Sequence, residues 1–215
     1  MAVPRWQRIL VIASTACLAS SVAAQGMDGP AVVRKVRNTF ESLNTFRARF
    51  TQTFEWKLVG ERQTTSGTLV AAKGDRYYIE TDDQVVVTDG KTVWNYSKTN
   101  KQVIVDALGK SADAPLMRDL MVRYAEGYRA ELKGEETLGD RRCYLVELSP
   151  KQEAFIVRVR LWVDRTLWVP VRVEQTDVND NVHIYELRDV EVNVPVPASL
   201  FSFQVPQGAE VIDVR

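Results

Sequence analysis

From Phe46 to Trp56 the chain reads FRARFTQTFEW, and Phe46, Ala48, Phe50, Phe54 and Trp56 fall on one parity. Arg47, Arg49, Thr51, Thr53 and Glu55 fall on the other. Successive strand side chains point to opposite faces, so this segment predicts a strand with an aromatic face and a wet face. Similar runs predict strands over residues 62–72, 75–81, 84–88, 92–96, 102–105, 128–133, 135–138, 142–148, 155–163, 169–177, 181–191 and 200–203. Turn signals such as Lys73-Gly74-Asp75, Asp89-Gly90, Leu138-Gly139-Asp140 and Asn179-Asp180-Asn181 separate them. Many short strands joined by tight turns predict an antiparallel meander that curls into a barrel or half barrel.

Two helices interrupt the strand pattern. Asp28 suits a cap, Pro30 suits a first turn, and Val33, Val36, Phe40 and Leu43 recur at helical spacing. A second helix is expected over residues 114–125, with Leu116, Met117, Leu120, Met121 and Tyr124 on one side and Arg118, Asp119 and Arg123 opposite. A short helix near residues 105–110 is expected before it. Both main helices carry apolar faces and sit outside the strand ladder. The simplest packing lays them across the concave face or mouth of the curled sheet, where they protect apolar surface.

Composition changes this picture mainly at the N-terminus. Arg5 and Arg8 precede a short apolar run over 9–19, and Val22-Ala23-Ala24 offers small residues before Gln25. This predicts a cleaved signal peptide at 1–24 and a single domain over 25–215 in the periplasm. The run is shorter than the ~20 residues a membrane-spanning helix needs. Cys17 raises lipid attachment as a rival. However, Ser14-Thr15-Ala16 lacks the large aliphatic residue such a site usually carries. Cleavage leaves Cys143 alone, expected as a small buried residue in a strand. The 28 basic and 28 acidic residues balance. Setting aside Arg5 and Arg8 leaves the remainder slightly acidic, so no nucleic-acid footprint is present.

Four stretches carry a resemblance. They are LNTFRARFTQ at 43–52, Ser66-Gly67-Thr68-Leu69, VVVTDGKTVWNY at 85–96, and LFSFQVPQG at 200–208. In order and spacing, from about Val32 to Asp213, the chain resembles the LolA-type periplasmic lipoprotein carriers. The resemblance implies a mainly β (α+β) fold, an unclosed antiparallel β-barrel with a helical lid over a hydrophobic cavity. It implies acylated lipoproteins as cargo, an inner-membrane lipoprotein-releasing ABC transporter as donor and an outer-membrane acceptor. No cofactor is expected, and the carrier is expected to be a monomer. Phe46, Phe50, Phe54, Leu69, Trp94 and Tyr96 fit the cavity wall. Leu116, Met117, Leu120 and Met121 fit the lid, where methionine adapts to varied shapes. Many members of the family read Lys-Arg-Pro where this chain reads Ala72-Lys73-Gly74. Lys73 takes the arginine's place as a polar lid or transfer residue, keeping the charge without the planar donor fork.

Enzyme chemistry is not expected. His183 is the only histidine, no triad order or phosphate-cradling glycine loop occurs, and Asp82-Asp83 and Glu135-Glu136 fall at turns. Gln52, on the apolar parity, is expected to hydrogen-bond a neighbouring strand or helix end. Trp162 and Trp168 flank a turn and are expected to be exposed or half-buried structural residues, with partner docking as the other role. Two alternative functions use the same features. One is a lipid-sensing domain that regulates an envelope-stress partner, and the other is a carrier of other lipids. A greasy wall does not separate cargo classes.

Overall fold

The computed structural model describes residues 26–109 and 127–215. The leader at 1–24, the expected helix at 114–125 and its lid residues Leu116, Met117, Leu120 and Met121 lie outside the described residues.

One helix, α1 (Gly29–Ser42), precedes the strands β1 (Thr45–Trp56), β2 (Glu61–Ala72), β3 (Arg76–Thr81), β4 (Gln84–Asp89), β5 (Thr92–Ser97) and β6 (Gln102–Ala107). Then follow β7 (Tyr128–Leu138), β8 (Arg141–Pro150), β9 (Ile156–Asp164), β10 (Pro170–Asp177), β11 (Val182–Val192) and β12 (Glu210–Asp213). All twelve strands form one unclosed sheet in the order β12-β6-β5-β4-β3-β2-β1-β11-β10-β9-β8-β7. Every pairing is antiparallel except that of β12 with β6. The meander is broken twice, where β11 returns to lie beside β1 and where β12 joins the far edge beside β6.

Asp28 caps α1 by accepting a hydrogen bond from the Ala31 N–H at 2.7 Å. The valines then fall on one face: Val32, Val33 and Val36 pack onto Val146, Leu148, Val159, Leu161 and Val173 of the sheet. The helix seats tightly, because a Cβ on Gly29 would stand 2.6 Å from the Ala130 backbone. Trp168 closes the arrangement by stacking on Tyr144 at 5.5 Å while the Lys35 ammonium lies 4.1 Å from its ring centre.

Several expectations need correction. The described part of the stretch expected as a helix near 105–110, residues 105–109, is no helix; β6 runs through it to Ala107 and a turn follows. The expected strands 128–133 and 135–138 are one strand, interrupted by a register shift between Leu132 and Gly134. Residues 198–201 form a 3₁₀ turn rather than a strand, and the last strand is β12. Trp162 is buried and donates its indole N–H to Glu136 at 2.6 Å. Cys143, by contrast, is buried within β8 as expected, and burial pushes its thiol up to about 11.

Candidate functional site

Directly paired residues of an antiparallel ladder share a face. One such row runs from Phe46 through Ala71, Tyr77 and Thr88 to Val93. A second runs from Ala48 through Leu69, Ile79 and Val86 to Asn95, and a third links Leu187, Phe50, Gly67 and Thr81. These rows form the inner face of the sheet. A cavity of about 660 Å³ opens on it, within the usual range of about 300–1,000 Å³ for small-ligand sites.

The cavity has three zones. Its middle is apolar, built by Phe46, Phe50, Leu69, Ile79, Val86 and Leu187, with Phe40 and Leu43 arriving from α1 and its end. One end is polar but uncharged, with Gln52, Thr65, Thr81, Gln84 and Gln175. The other end is charged, with Glu41, Lys73, Asp75 and Arg76. The Gly-x-Leu stretch is explained by packing. Gly67 pairs with Phe50, and a Cβ there would sit 2.9 Å from the Phe50 ring and 2.2 Å from the Glu80 carbonyl oxygen. The bare glycine leaves room for the phenylalanine to lie flat along the floor.

Of the residues expected in the wall, Phe46, Phe50 and Leu69 line this cavity. Phe54 has the inner parity but lies beyond the polar end, where its ring meets Trp56 and His183 edge-on at 4.2 Å each. Trp94 and Tyr96 are a correction. Their strand neighbours Val93 and Asn95 take the inner rows, so both aromatics point outward. There Phe203 covers them, at 6.3 Å from Trp94 and 6.2 Å from Tyr96. Sequence parity missed Tyr77, Ile79, Val86 and Tyr185, which only the strand register assigns to the inner face.

Lys73 stands exposed at the charged rim. Its N–H donates to the Asn44 carbonyl at 2.9 Å, and its own carbonyl accepts from the Arg76 Nε at 3.0 Å. A planar fork is thus present at this rim, three residues further along the chain. Gln52 is on the inner parity of β1. It lies on the cavity floor between its pairing partners Thr65 and Tyr185. Burial raises the Tyr185 pKa. Burial lowers that of His183, with Asp177 pulling the other way.

Of the carboxylates expected at turns, Glu135 and Glu136 lie instead within β7, and Asp83 is at the β3–β4 turn; all three have structural partners. Glu135 pairs with Arg142 and Arg165, Glu136 holds Trp162, and Asp83 accepts from the Thr99 hydroxyl at 3.4 Å. Asp89 caps its turn by accepting from the Lys91 and Thr92 N–H groups.

A hollow, unclosed antiparallel sheet with an apolar inner cavity defines a binding protein for greasy ligands. The family model for outer membrane lipoprotein carrier protein LolA matches residues 41–204, and the chain belongs to that family. An outer-membrane lipoprotein carrier protein of Hahella chejuensis is 26% identical, over 95% of this chain and 98% of its own length. An uncharacterized protein of Methanocaldococcus jannaschii is 27% identical over 87% of this chain. The match covers 55% of that relative, so the chain spans about half its length. A crystal structure of an uncharacterized conserved protein from Thermus thermophilus has the same fold. Its TM-score is 0.59 at 13% identity, over 85% of this chain and 96% of that one.

Proposed function

We propose that the protein is a periplasmic carrier that shields the acyl chains of lipoproteins and passes them from the inner to the outer membrane. The observation that carries this reading is the apolar middle of the cavity, between Phe46, Phe50, Leu69 and Leu187. Residues 1–24 act as a cleaved signal peptide, and residues 25–215 are the working domain. An inner-membrane ABC transporter loads it and an outer-membrane acceptor unloads it.

Energetics shape the cycle. Each buried methylene contributes about 0.8 kcal/mol, so one fully buried long chain approaches about 12 kcal/mol on the same scale. A carrier gaining all of that would not release its cargo. The empty state therefore has to compete, and the stripe of Leu116, Met117, Leu120 and Met121 is the part of the chain suited to covering the hollow when no lipid is there. Lys73 and Arg76 hold the charged rim, where the polar head of the cargo meets water.

A lipophilic dye tests this directly. Micromolar purified protein is expected to bind the dye, and a triacylated or diacylated lipopeptide is expected to displace it. Absence of both effects removes the reading. Co-purification from periplasm then separates cargo classes: acylated lipoproteins support the carrier, whereas free lipid alone, or a membrane-anchored regulator, replaces it.

A further inference from the structure

The two polar ends of the cavity are unlike. The charged residues of its lining, Glu41, Lys73, Asp75 and Arg76, all lie at the end where β1 begins. Ala72, next to Lys73, pairs with Thr45. Gln52 stands further along β1, roughly 23 Å from Thr45 at about 3.3 Å per residue. In an open, watered cavity that exceeds the Debye length of about 8–10 Å, so the charged end supplies no ionic partner to a group held beside Gln52. At this second end Gln52 lies between Thr65 and Tyr185. Gln175, 8% exposed, reaches the same face from β10.

The polar groups of this end differ in what already engages them. The Gln84 amide donates to Asn95 Oδ1 at 2.6 Å, and the Thr81 hydroxyl accepts from the Gln84 N–H at 3.1 Å. On the opposite face of the β1–β2 pair, Thr51 meets Ser66 and Thr53 meets Thr64, each at 3.3 Å. The Gln52 amide and the Tyr185 hydroxyl both line the cavity, yet neither has a hydrogen-bond partner among the described residues. A primary amide donates and accepts at once. A hydrocarbon end laid against it would strip away its water and leave it unpaired, which is unfavourable. A charged head is no better served, because no lysine or arginine joins the lining here and a dried charge needs a partner. His183 nearby is neutral, since burial lowers its pKa. The Asp177 carboxylate is taken by the Asn179 and Asn181 N–H groups and the Asn181 amide. Glu61, Asp82 and Asp83 stand exposed in water.

We propose that Gln52, Tyr185 and Gln175 form a head-group subsite for an uncharged acyl lipid whose head both donates and accepts hydrogen bonds, as a glyceryl or amide group does. The acyl chain runs from there along Phe50 and Leu69 into the apolar middle. A lipid held this way points opposite to one whose head meets water beside Lys73 and Arg76, so it is a second binding mode of the same cavity. The proposal rests on the apolar middle being a lipid site, and it adds a choice among lipids. A site built to hydrogen-bond a ligand discriminates strongly against analogues that leave its groups unpaired.

The test is displacement of the uncharged dye 1-N-phenylnaphthylamine from the purified protein by three lipids of equal chain length. They are monomyristoylglycerol, tetradecyl sulfate and tetradecyltrimethylammonium, each kept below its micellar concentration. Monomyristoylglycerol should displace half of the dye at about tenfold lower concentration than either charged lipid. Gln52→Leu should bring the three lipids within about twofold of one another, at a melting midpoint no lower than that of wild type. Tyr185→Phe deletes one hydroxyl and keeps the ring, and it should narrow the ranking in the same direction. Gln63→Leu, paired with Phe54 past the cavity, should leave the ranking intact. Equal displacement by all three lipids, or a ranking unmoved by both Gln52→Leu and Tyr185→Phe, would overturn this proposal and leave the carrier reading standing. A lowered melting midpoint of Gln52→Leu with an unchanged ranking would make the amide a structural group, with the same consequence. No binding of the dye, and none of any lipid by calorimetry, would overturn both.

Discussion

In the β7–β11 flank of the sheet, the α1 valines drop onto Val146, Leu148, Val159 and Leu161, each exposed by 1% or less. In the β1–β4 flank, Phe46, Phe50, Leu69, Ile79 and Val86 face a hollow of about 660 Å³. The strands are of similar make and the curl is continuous, yet among the described residues one half is filled by its helix and the other faces a hollow. A void deprives its lining of packing partners, so the hollow half draws less stability from its inner face. It is held instead by its ladder and by cover on the outer face, where Phe201 and Phe203 pack. The filled half is the anchor that lets the other half stay open for a ligand.

The largest effect is expected from opening a void in the filled half. Leu148→Ala or Leu161→Ala should cost about 2–5 kcal/mol, the usual range for such truncations in a tight core. Leu69→Ala removes the same atoms beside an existing hollow and should cost about 1 kcal/mol or less, because that side chain has less contact to lose. Chemical denaturation of the three variants checks this. Equal losses would mean that the hollow is tightly filled in solution, by the 116–121 stripe or by bound lipid, rather than loosely covered.

Next in size is the clasp that holds α1 down. Asp164 is buried and accepts from Arg141 at 2.8 Å, from the Thr166 N–H at 2.7 Å and from the Leu167 N–H at 2.9 Å. It thereby shapes the turn that places Trp168 over Tyr144. Burial pushes its pKa upward, but the donors from Leu167, Arg141 and Thr166 outweigh that and hold it below the usual carboxylate range. A depressed carboxylate stabilises the fold above its unfolded pKa, and the benefit fades as pH falls through the folded value. Asp164→Asn should therefore cost about 1–3 kcal/mol at pH 7. The gap to wild type should hold down to about pH 4 and then close. Denaturation midpoints across that range measure it.

The asymmetry between the flanks also explains what was legible in the sequence. The helix cap at Asp28, the valine spacing of α1, most of the strands and the inner parity of Phe46, Ala48 and Phe50 follow from local periodicity. The facing of β5 does not. Read alone, Val93-Trp94-Asn95-Tyr96 suggests that its two aromatics face the core. They are instead half-buried on the outer face, under a C-terminal segment that approaches from more than a hundred residues away and shows no periodicity of its own. Gly134 reads as a break between strands because a bulge and a turn share the same residue preference. Tyr77, Ile79 and Val86 become visible as cavity lining only once the register links them to Leu69 and Phe46. The cavity itself is a property of which half α1 covers, and the helix sequence does not encode that choice.

A further contrast concerns binding. Phe50→Ala deletes a ring from the cavity floor, over Gly67, and should weaken lipophilic dye binding about tenfold, or about 1.4 kcal/mol. Phe54→Ala removes a ring held by Trp56 and His183 outside the cavity and should leave dye affinity within about twofold. Fluorescence titration of both variants decides it. Equal weakening would extend the binding surface past Gln52, and no weakening at Phe50 would place the ligand elsewhere.

The smallest effect is expected on the outer face of the filled flank. There Lys133, Glu147, Arg160, Glu174, Arg172 and Glu186 alternate in sign across five strands, with separations from 3.0 Å for Arg172–Glu186 to 3.8 Å for Lys133–Glu147. On the hollow flank the pairs among the described residues stand apart from one another, as Arg62–Glu55 and Lys98–Glu80 do, with Arg47–Glu191 and Arg49–Asp189 reaching across from β1 to β11. A row of this length invites the view that charge, rather than the valine core, makes this flank the anchor. Ion pairs open to solvent contribute about 0–1 kcal/mol each. Arg160→Gln leaves Glu147 and Glu174 facing each other across the gap, which sets the loss near the upper end of that range, at about 1 kcal/mol. The loss should shrink in about 0.5 M salt, where the Debye length is only a few ångströms. A loss equal to that of Leu161→Ala, undiminished by salt, would move the source of the anchor from the inner face to the outer one.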